Sequence, residues 1–315
     1  MKRRSQILLL ALILDWLTGD LPNRFHPVAW MGKVIAWGKR CCSFSAWWAQ
    51  FAHGALLLGG GGGGVILLAQ AMRRGVRSLP TIPGMLFEAW LLKQTFSVRG
   101  LLAATGDVQR ALSRHDLPLA RHWLRWHLVS REVGNLDESG VIAAAIESLA
   151  ENASDGVIAP WWWYMVGGLP FAYFYRFVNT ADAMLGYRDP RHEWLGKASA
   201  RLDDLLNLIP ARLTALLIIL TTWRSDGRRA GAWRIWRRDA HRTESPNAGH
   251  PMSAMAGALG VRLEKEAHYV LGAELPPPQL AHLGQARGSL LGIVVMGSIL
   301  TFLVVTFRPF KRSKQ

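Results

Sequence analysis

The chain has 315 residues, 50% of them hydrophobic, and carries 37 basic against 22 acidic residues for a formal net charge of +15. Such an excess suits nucleic acid, but the basic residues flank apolar blocks and no recognition motif accompanies them, which excludes that class of partner. The two cysteines, Cys41 and Cys42, are adjacent and have no Cys/His pattern nearby, which excludes a disulfide framework and a zinc site.

Apolar residues come in blocks with the charges between them, the pattern of an all-α polytopic membrane protein. The first block, Ile7 to Leu14, follows a basic start and has no A-x-A cleavage pattern after it, so an uncleaved helix is expected. The second covers residues 47 to 71 and holds six consecutive glycines, Gly59 to Gly64. No Lys-Ser/Thr follows them, which removes a phosphate loop and leaves close helix packing as their use.

The third block, Leu79 to Ala104, carries Glu88, Lys93 and Arg99. Charges at membrane depth are expensive, so these are either functional or paired with neighbours. Residues 105–156 read as an amphipathic helical polar insertion, with Leu112, Leu119, Trp123 and Trp126 near helical spacing. The fourth block, Val157 to Val178, is broken by Gly167 to Pro170, which predicts two half-helices. The fifth and sixth cover Ile209 to Trp223 and Leu290 to Phe307.

The expectation is therefore a single integral membrane domain over 1–315, with about 4–6 apolar helical segments. Helical polar loops, 182–208 and 224–287, are expected to form the site. The basic stretches Arg224 to Arg242 and Arg308 to Lys314 both favour the cytoplasmic side, although one apolar block separates them.

Three polar regions hold candidate chemistry. Glu147, Glu151 and Asp155 are spaced four apart and share one face if a helix runs through Asp155. A solvated acidic face ending at Gly156 as a C-cap would explain them. So would a divalent cation, with Asn152 beside them as a neutral ligand. Asn179 and Asp182 are three apart and face the same way on a helix.

Beyond them come Arg188, Lys197, Arg201, Asp203, Asp204 and Asn207, a mixture suited to a metal–phosphate complex. Arg201 and Asp204 also suit a plain surface pair. Ser245 to Gly249 reads as a turn before a small-residue, tightly packed helix, placing Ser245 and Asn247 at the turn. His241 and His250 are ligands, bases or structural. No nucleophile motif is present, so the residues alone leave enzyme and transporter open.

The motifs ESLAENASDGVIAP, VNTADAMLGYR, ARLDDLLNLIPARL and SPNAGHPMSAMAGALGVRLEK, in that order, resemble those of the adenosylcobinamide-phosphate synthase family of cobalamin biosynthesis. The opening LDWLTGDLPNRFHPVAWMGKVI resembles that family's start, and the likeness runs from about Leu14 to Leu271. Four positions depart from the family pattern: Arg176 stands where Lys is usual, Ala183 where Ser is, and Glu132 and Val133 follow Arg131 where Asp and Thr are usual.

The resemblance implies a multi-pass protein of the bacterial inner membrane. It implies ATP- and Mg²⁺-dependent joining of aminopropanol, its phosphate or threonine phosphate to the propionate of adenosylcobyric acid. It also implies contact with the lipid bilayer and association with other corrinoid-pathway enzymes. On that basis Glu147, Glu151, Asp155 and Asp182 are expected to hold the metal. Arg188, Asn179, Asn152, Ser245 and Asn247 are expected at substrate or phosphate, and Lys197, Arg201, Asp203 and Asp204 at the catalytic step. A transporter would instead show an inverted repeat, and a regulatory relative would lack the acidic motifs.

Overall fold

The computed structural model describes residues 2–186, 193–222 and 228–306, with side chains from 3 to 301. Arg188, Trp223, Arg224 and the basic tail from Arg308 lie outside the described residues. Among the described residues the regular structure is helical apart from one two-stranded hairpin. In order, the helices are α1 (Lys2–Thr18), α2 (Pro27–Arg40), α3 (Trp47–Arg77), α4 (Thr81–Lys93), α5 (Val98–Ser113), α6 (Leu117–His127) and α7 (Glu138–Ala153). They continue with α8 (Ala159–Gly167), α9 (Leu169–Leu185), α10 (Glu193–Thr221), α11 (Arg228–Asp239), α12 (Gly249–Leu259) and α13 (Leu280–Thr306). Strands β1 (Leu263–Lys265) and β2 (Tyr269–Leu271) pair antiparallel between α12 and α13.

Among the described residues three helices are long and apolar enough to cross a membrane: α3, α10 and the Leu280–Thr301 part of α13. They account for the second, fifth and sixth apolar blocks. The third block is not one helix but two. α4 stops at Lys93, and α5 restarts behind Ser97, whose hydroxyl caps the Gly100 N–H at 3.1 Å. The fourth block breaks where its glycines and proline lie, with Gly168 at φ +78° between α8 and α9.

The six glycines divide by face. A Cβ on Gly61 would lie 2.3 Å from Phe177, and one on Gly62 2.8 Å from Phe174, so these two let α3 close on α9. Gly59, Gly60, Gly63 and Gly64 would meet nothing. Further along, Gly54 admits the Leu195 carbonyl of α10, 2.0 Å from where a Cβ would sit.

The 105–156 region departs from its expected amphipathic character. α5 and α6 are two-faced, but α7 is enclosed: every residue from Val141 to Ala150 is buried. α5, α6, α12, α13 and β1 surround it. Gly156 is not a C-cap. α7 passes into a π turn over Ser154–Ile158 and directly into α8, making one continuous helical rod.

Candidate active site

The continuous rod puts Glu147, Glu151 and Asp155 in line, four residues apart along one helix. The π turn falls at Asp155, and such bulges in α-helices recur at functional sites. α9 and α10 close on this line from the side. Their antiparallel contact is tied by Asn179, whose amide donates to Asp203 Oδ1 at 3.2 Å. Asn207 donates to Asp203 Oδ2 at 2.9 Å. The buried Tyr175 hydroxyl bridges back to Asn207 Oδ1 (2.9 Å) and to the Asp155 carbonyl (3.1 Å). Carboxylates from three separate helices thus face one another.

The environment strains these acids towards their neutral forms. Burial pushes the Glu147 carboxyl up to about 7, against the pull of Arg131, whose guanidinium is 3.8 Å away. Glu147 Oε1 is buried without a hydrogen-bond partner. Glu151 is raised by burial and by the Asp203 charge, and is partly relieved by Lys265. Asp155 is raised well above its ordinary range by burial and by Asp203 and Glu151. Asp182, on α9, is pushed to about 7 by burial and by Asp203, Asp204 and Glu151.

Among the described residues, no three His, Cys, Asp or Glu side chains are arranged to hold a metal ion by themselves.

Two cavities open beside the cluster, and His127 and Leu128 line both. One, about 570 Å³, is bounded by Asp182, Ala183, Gly186, Ser130 and the exposed Trp126. The other, about 490 Å³, is bounded by Asn152, Gly156, Arg176, Asp20 and His26. Asn152, which lines this second cavity, donates its amide to the Ser148 carbonyl at 2.9 Å.

The remaining predicted residues have other neighbours. Lys197 pairs with Glu193 one turn back, at 3.6 Å. Arg201 is exposed and acts on Asp204. Ser245 caps its own turn by accepting from the Asn247 and Ala248 N–H groups at 3.2 and 3.3 Å. Asn247 donates to the Asp204 carbonyl at 2.7 Å, fastening that turn to α10. His250 accepts from Trp236 at 2.9 Å, and burial holds its ring down at about 4, so it is neutral.

Several residues of the site escaped the sequence reasoning. Lys265 and Tyr269 sit opposite each other on the hairpin and both act on the Glu147–Glu151 line. Arg131 and Arg176 supply guanidinium groups to Glu147 and to the Asp155–Asp203 pair. Lys265 closes a quoted motif, and Arg131 and Arg176 stand at the family-pattern positions already noted, without a site role assigned to them there. Lys93, of undecided role in the sequence, is buried and bonded to Asp20 at 2.8 Å, with Asp15 at 3.8 Å. Asp20 also accepts from Ser97 at 2.6 Å, so this network builds one wall of the second cavity.

An all-helical, membrane-type protein with a buried carboxylate centre is the class that fold and site define. The chain matches the CobD/Cbib protein family over residues 8–300, and it belongs to that family. It is 42% identical over 271 residues to the cobalamin biosynthesis protein CobD of Dehalococcoides mccartyi, covering 86% of this chain and 87% of that one. It is 38% identical over 266 residues to the probable cobalamin biosynthesis protein CobD of Methanothermobacter thermautotrophicus, covering 84% and 86%. The cobalamin biosynthesis protein CobD of Brucella melitensis is 40% identical over 279 residues, covering 85% and 83%. No solved structure matches the chain.

Proposed function

We propose that this protein acts in cobalamin biosynthesis as an ATP-dependent ligase of the bacterial inner membrane. It joins aminopropanol, its phosphate or threonine phosphate to the propionate carboxylate of adenosylcobyric acid. Family membership supports the pathway. The observation that carries the chemistry is the convergence of buried and half-buried carboxylates from α7, α9 and α10 beside cavities lined by cations and polar groups.

The donor set fits Mg²⁺. Glu147, Glu151, Asp155 and Asp182 are oxygen ligands under mutual repulsion, and Glu147 has a buried oxygen without a partner. Mg²⁺ is commonly held by one or two carboxylates plus substrate phosphates. The incomplete protein nest therefore suits an ion that arrives with the nucleotide. When bound, Mg²⁺ would supply charge neutralisation and orientation of the transferring phosphoryl group.

The chain's own residues supply the rest. Amide formation from a carboxylate needs activation: the propionate oxygen attacks the γ-phosphorus of ATP and ADP leaves. The amine nitrogen then attacks the acyl carbon of the resulting acyl phosphate, and phosphate departs. The ammonium must first lose a proton, and Asp203 or Asp204 on α10, which are not in the metal set, would accept it. Arg176 and Arg131 offer fixed positive charge to phosphate and propionate oxygens. Arg176 in place of the family's Lys presents a planar fork rather than a point charge.

The test is direct. Detergent-purified protein is incubated with adenosylcobyric acid, Mg-ATP and each amine in turn, and the products are read by mass spectrometry. A corrinoid heavier by the amine minus water, with ADP and phosphate released, is expected. No such product with any of the three amines, from folded protein, would refute the ligase.

A further inference from the structure

The opposite end of α9 carries chemistry that the ligase reading does not use. Gly168 precedes α9 and lies 14 residues before Asp182, about 20 Å away at 1.5 Å rise per residue. Five arginines collect there: Arg3 and Arg4 from α1, and Arg73, Arg74 and Arg77 from the end of α3. Among the described residues Glu88 is the carboxylate lining their cavities. It is already engaged by Arg3 at 3.6 Å and by the Tyr164 hydroxyl at 3.1 Å.

The guanidinium groups of Arg4 and Arg73 approach the same glycine. A Cβ on Gly168 would be 3.5 Å from Arg4 Nη2 and 3.6 Å from Arg73 Nη1. Two like charges held this close are costly unless an anion lies between them. The start of α9 adds the positive end of a helix dipole at the same spot.

An apolar groove leads away from this point. It has a volume of about 540 Å³ and is walled by Trp161, Trp162, Met165, Leu213, Leu217 and Leu300. Arg4 lines both the groove and the basic cavity, and donates to the Met165 and Val166 carbonyls at 2.7 and 3.1 Å. Arg73 lines both basic cavities. A cation pair at the mouth of a chain-sized apolar groove is complementary to a ligand with a phosphate at one end and a hydrocarbon tail at the other.

We infer that this groove holds an anionic phospholipid, its phosphodiester between Arg4 and Arg73 over Gly168 and one acyl chain along the groove. A basic pocket between apolar helices is the general form of such sites. The inference does not depend on the ligase reading, because none of these residues touches the carboxylate centre.

The experiment is native mass spectrometry of the detergent-purified full chain titrated with phosphatidylglycerol or phosphatidylcholine. Soluble glycerol phosphate and Mg-ATP serve as competitors. Each basic residue near an anionic lipid contributes about 1 kcal/mol, so two should favour phosphatidylglycerol by about thirtyfold. Arg4→Gln combined with Arg73→Gln should remove that preference, and Leu300→Trp, which fills the groove, should weaken both lipids. If the double variant does not fold, the wild type decides alone: its preference should fall as salt rises from about 0.05 to 0.5 M, since screening lengths shrink over that range. Equal binding of the two lipids, a salt-insensitive preference, or displacement of the lipid by glycerol phosphate or Mg-ATP would overturn the inference.

Discussion

Helices α3 and α7 have nearly equal average hydrophobicity, and the fold treats them oppositely. In the apolar stretch of α3 only 17% is buried, and Leu56, Leu67 and Leu68 are largely exposed. α7 is enclosed by protein from Val141 to Ala150, with Glu147 inside that buried length and the half-buried Glu151 at its end. Average hydrophobicity says that a helix avoids water but not what replaces the water. Lipid offers no hydrogen bonds or countercharges, so the face of a lipid-exposed helix stays neutral. Protein offers both. Arg131, Lys265 and Tyr269 stand beside the acids of α7, which is how charge is kept within an apolar rod.

The largest test of that contrast is Glu151→Gln. If Glu151 is retained for a metal, the amide should lower ligation by about a hundredfold or more, beyond the effect of removing a supporting residue. The same variant should melt at or above the wild-type temperature in Mg²⁺-free buffer, because a buried charge repelled by Asp203 is gone. Lost activity with unchanged or raised stability marks a functional acid. Lost stability would mark a structural one, and unchanged activity with unchanged Mg²⁺ dependence would end the metal assignment.

Gly54→Ala probes the other helix. The new methyl would overlap the Leu195 carbonyl, a backbone group that cannot swing aside. We expect a loss of about 1–3 kcal/mol, typical of overpacking, seen as a lower melting temperature in detergent. A neutral outcome would mean that α3 and α10 do not pack as closely as described.

The pH response distinguishes the two regions again. Glu147 and Asp182 bind protons up to about 7 in the folded protein, well above their values in an unfolded chain. Between those limits the folded state holds protons that the unfolded state has released. Stability of the metal-free protein should therefore fall as pH rises from 5 to 8. If Mg²⁺ binds these carboxylates it must displace those protons, so its affinity should rise over the same interval, by up to about tenfold per pH unit for each proton released. Thermal unfolding with and without Mg²⁺ at pH 5.5 and 8 reads both slopes. A pH-independent Mg²⁺ effect would place the ion elsewhere.

The parts that could be read from sequence were those fixed by local periodicity. The four-residue spacing of Glu147, Glu151 and Asp155, the break at Gly167 to Pro170 and the Ser245 turn are short-range facts. The enclosure of α7 could not be read, because a helix wrapped by protein shows no polar face to betray its surroundings. Nor could the arrival of Lys265 and Tyr269, which a hairpin far along the chain delivers to α7. Lys93 looked ambiguous until its partners Asp15 and Asp20 came from α1 and the loop after it. Lys197 was the reverse case. Its pairing with Glu193 was written in an i,i+4 spacing, and the metal–phosphate reading passed over it.

Gly63→Ala carries the smallest effect and separates packing from permissiveness. Gly61 and Gly62 are needed against Phe177 and Phe174, but a Cβ on Gly63 would meet nothing. If glycine at 63 serves no contact within the molecule, alanine should be neutral or stabilise the helix by up to about 1 kcal/mol through its better propensity. Gly61→Ala in the same assay should destabilise, so the sign of the difference between adjacent faces of one helix is the measurement. A destabilising Gly63→Ala in the purified protein would mean that the open face of α3 is covered by something closely fitted, and detergent of increasing concentration would then abolish the difference if the cover is a second copy of the chain.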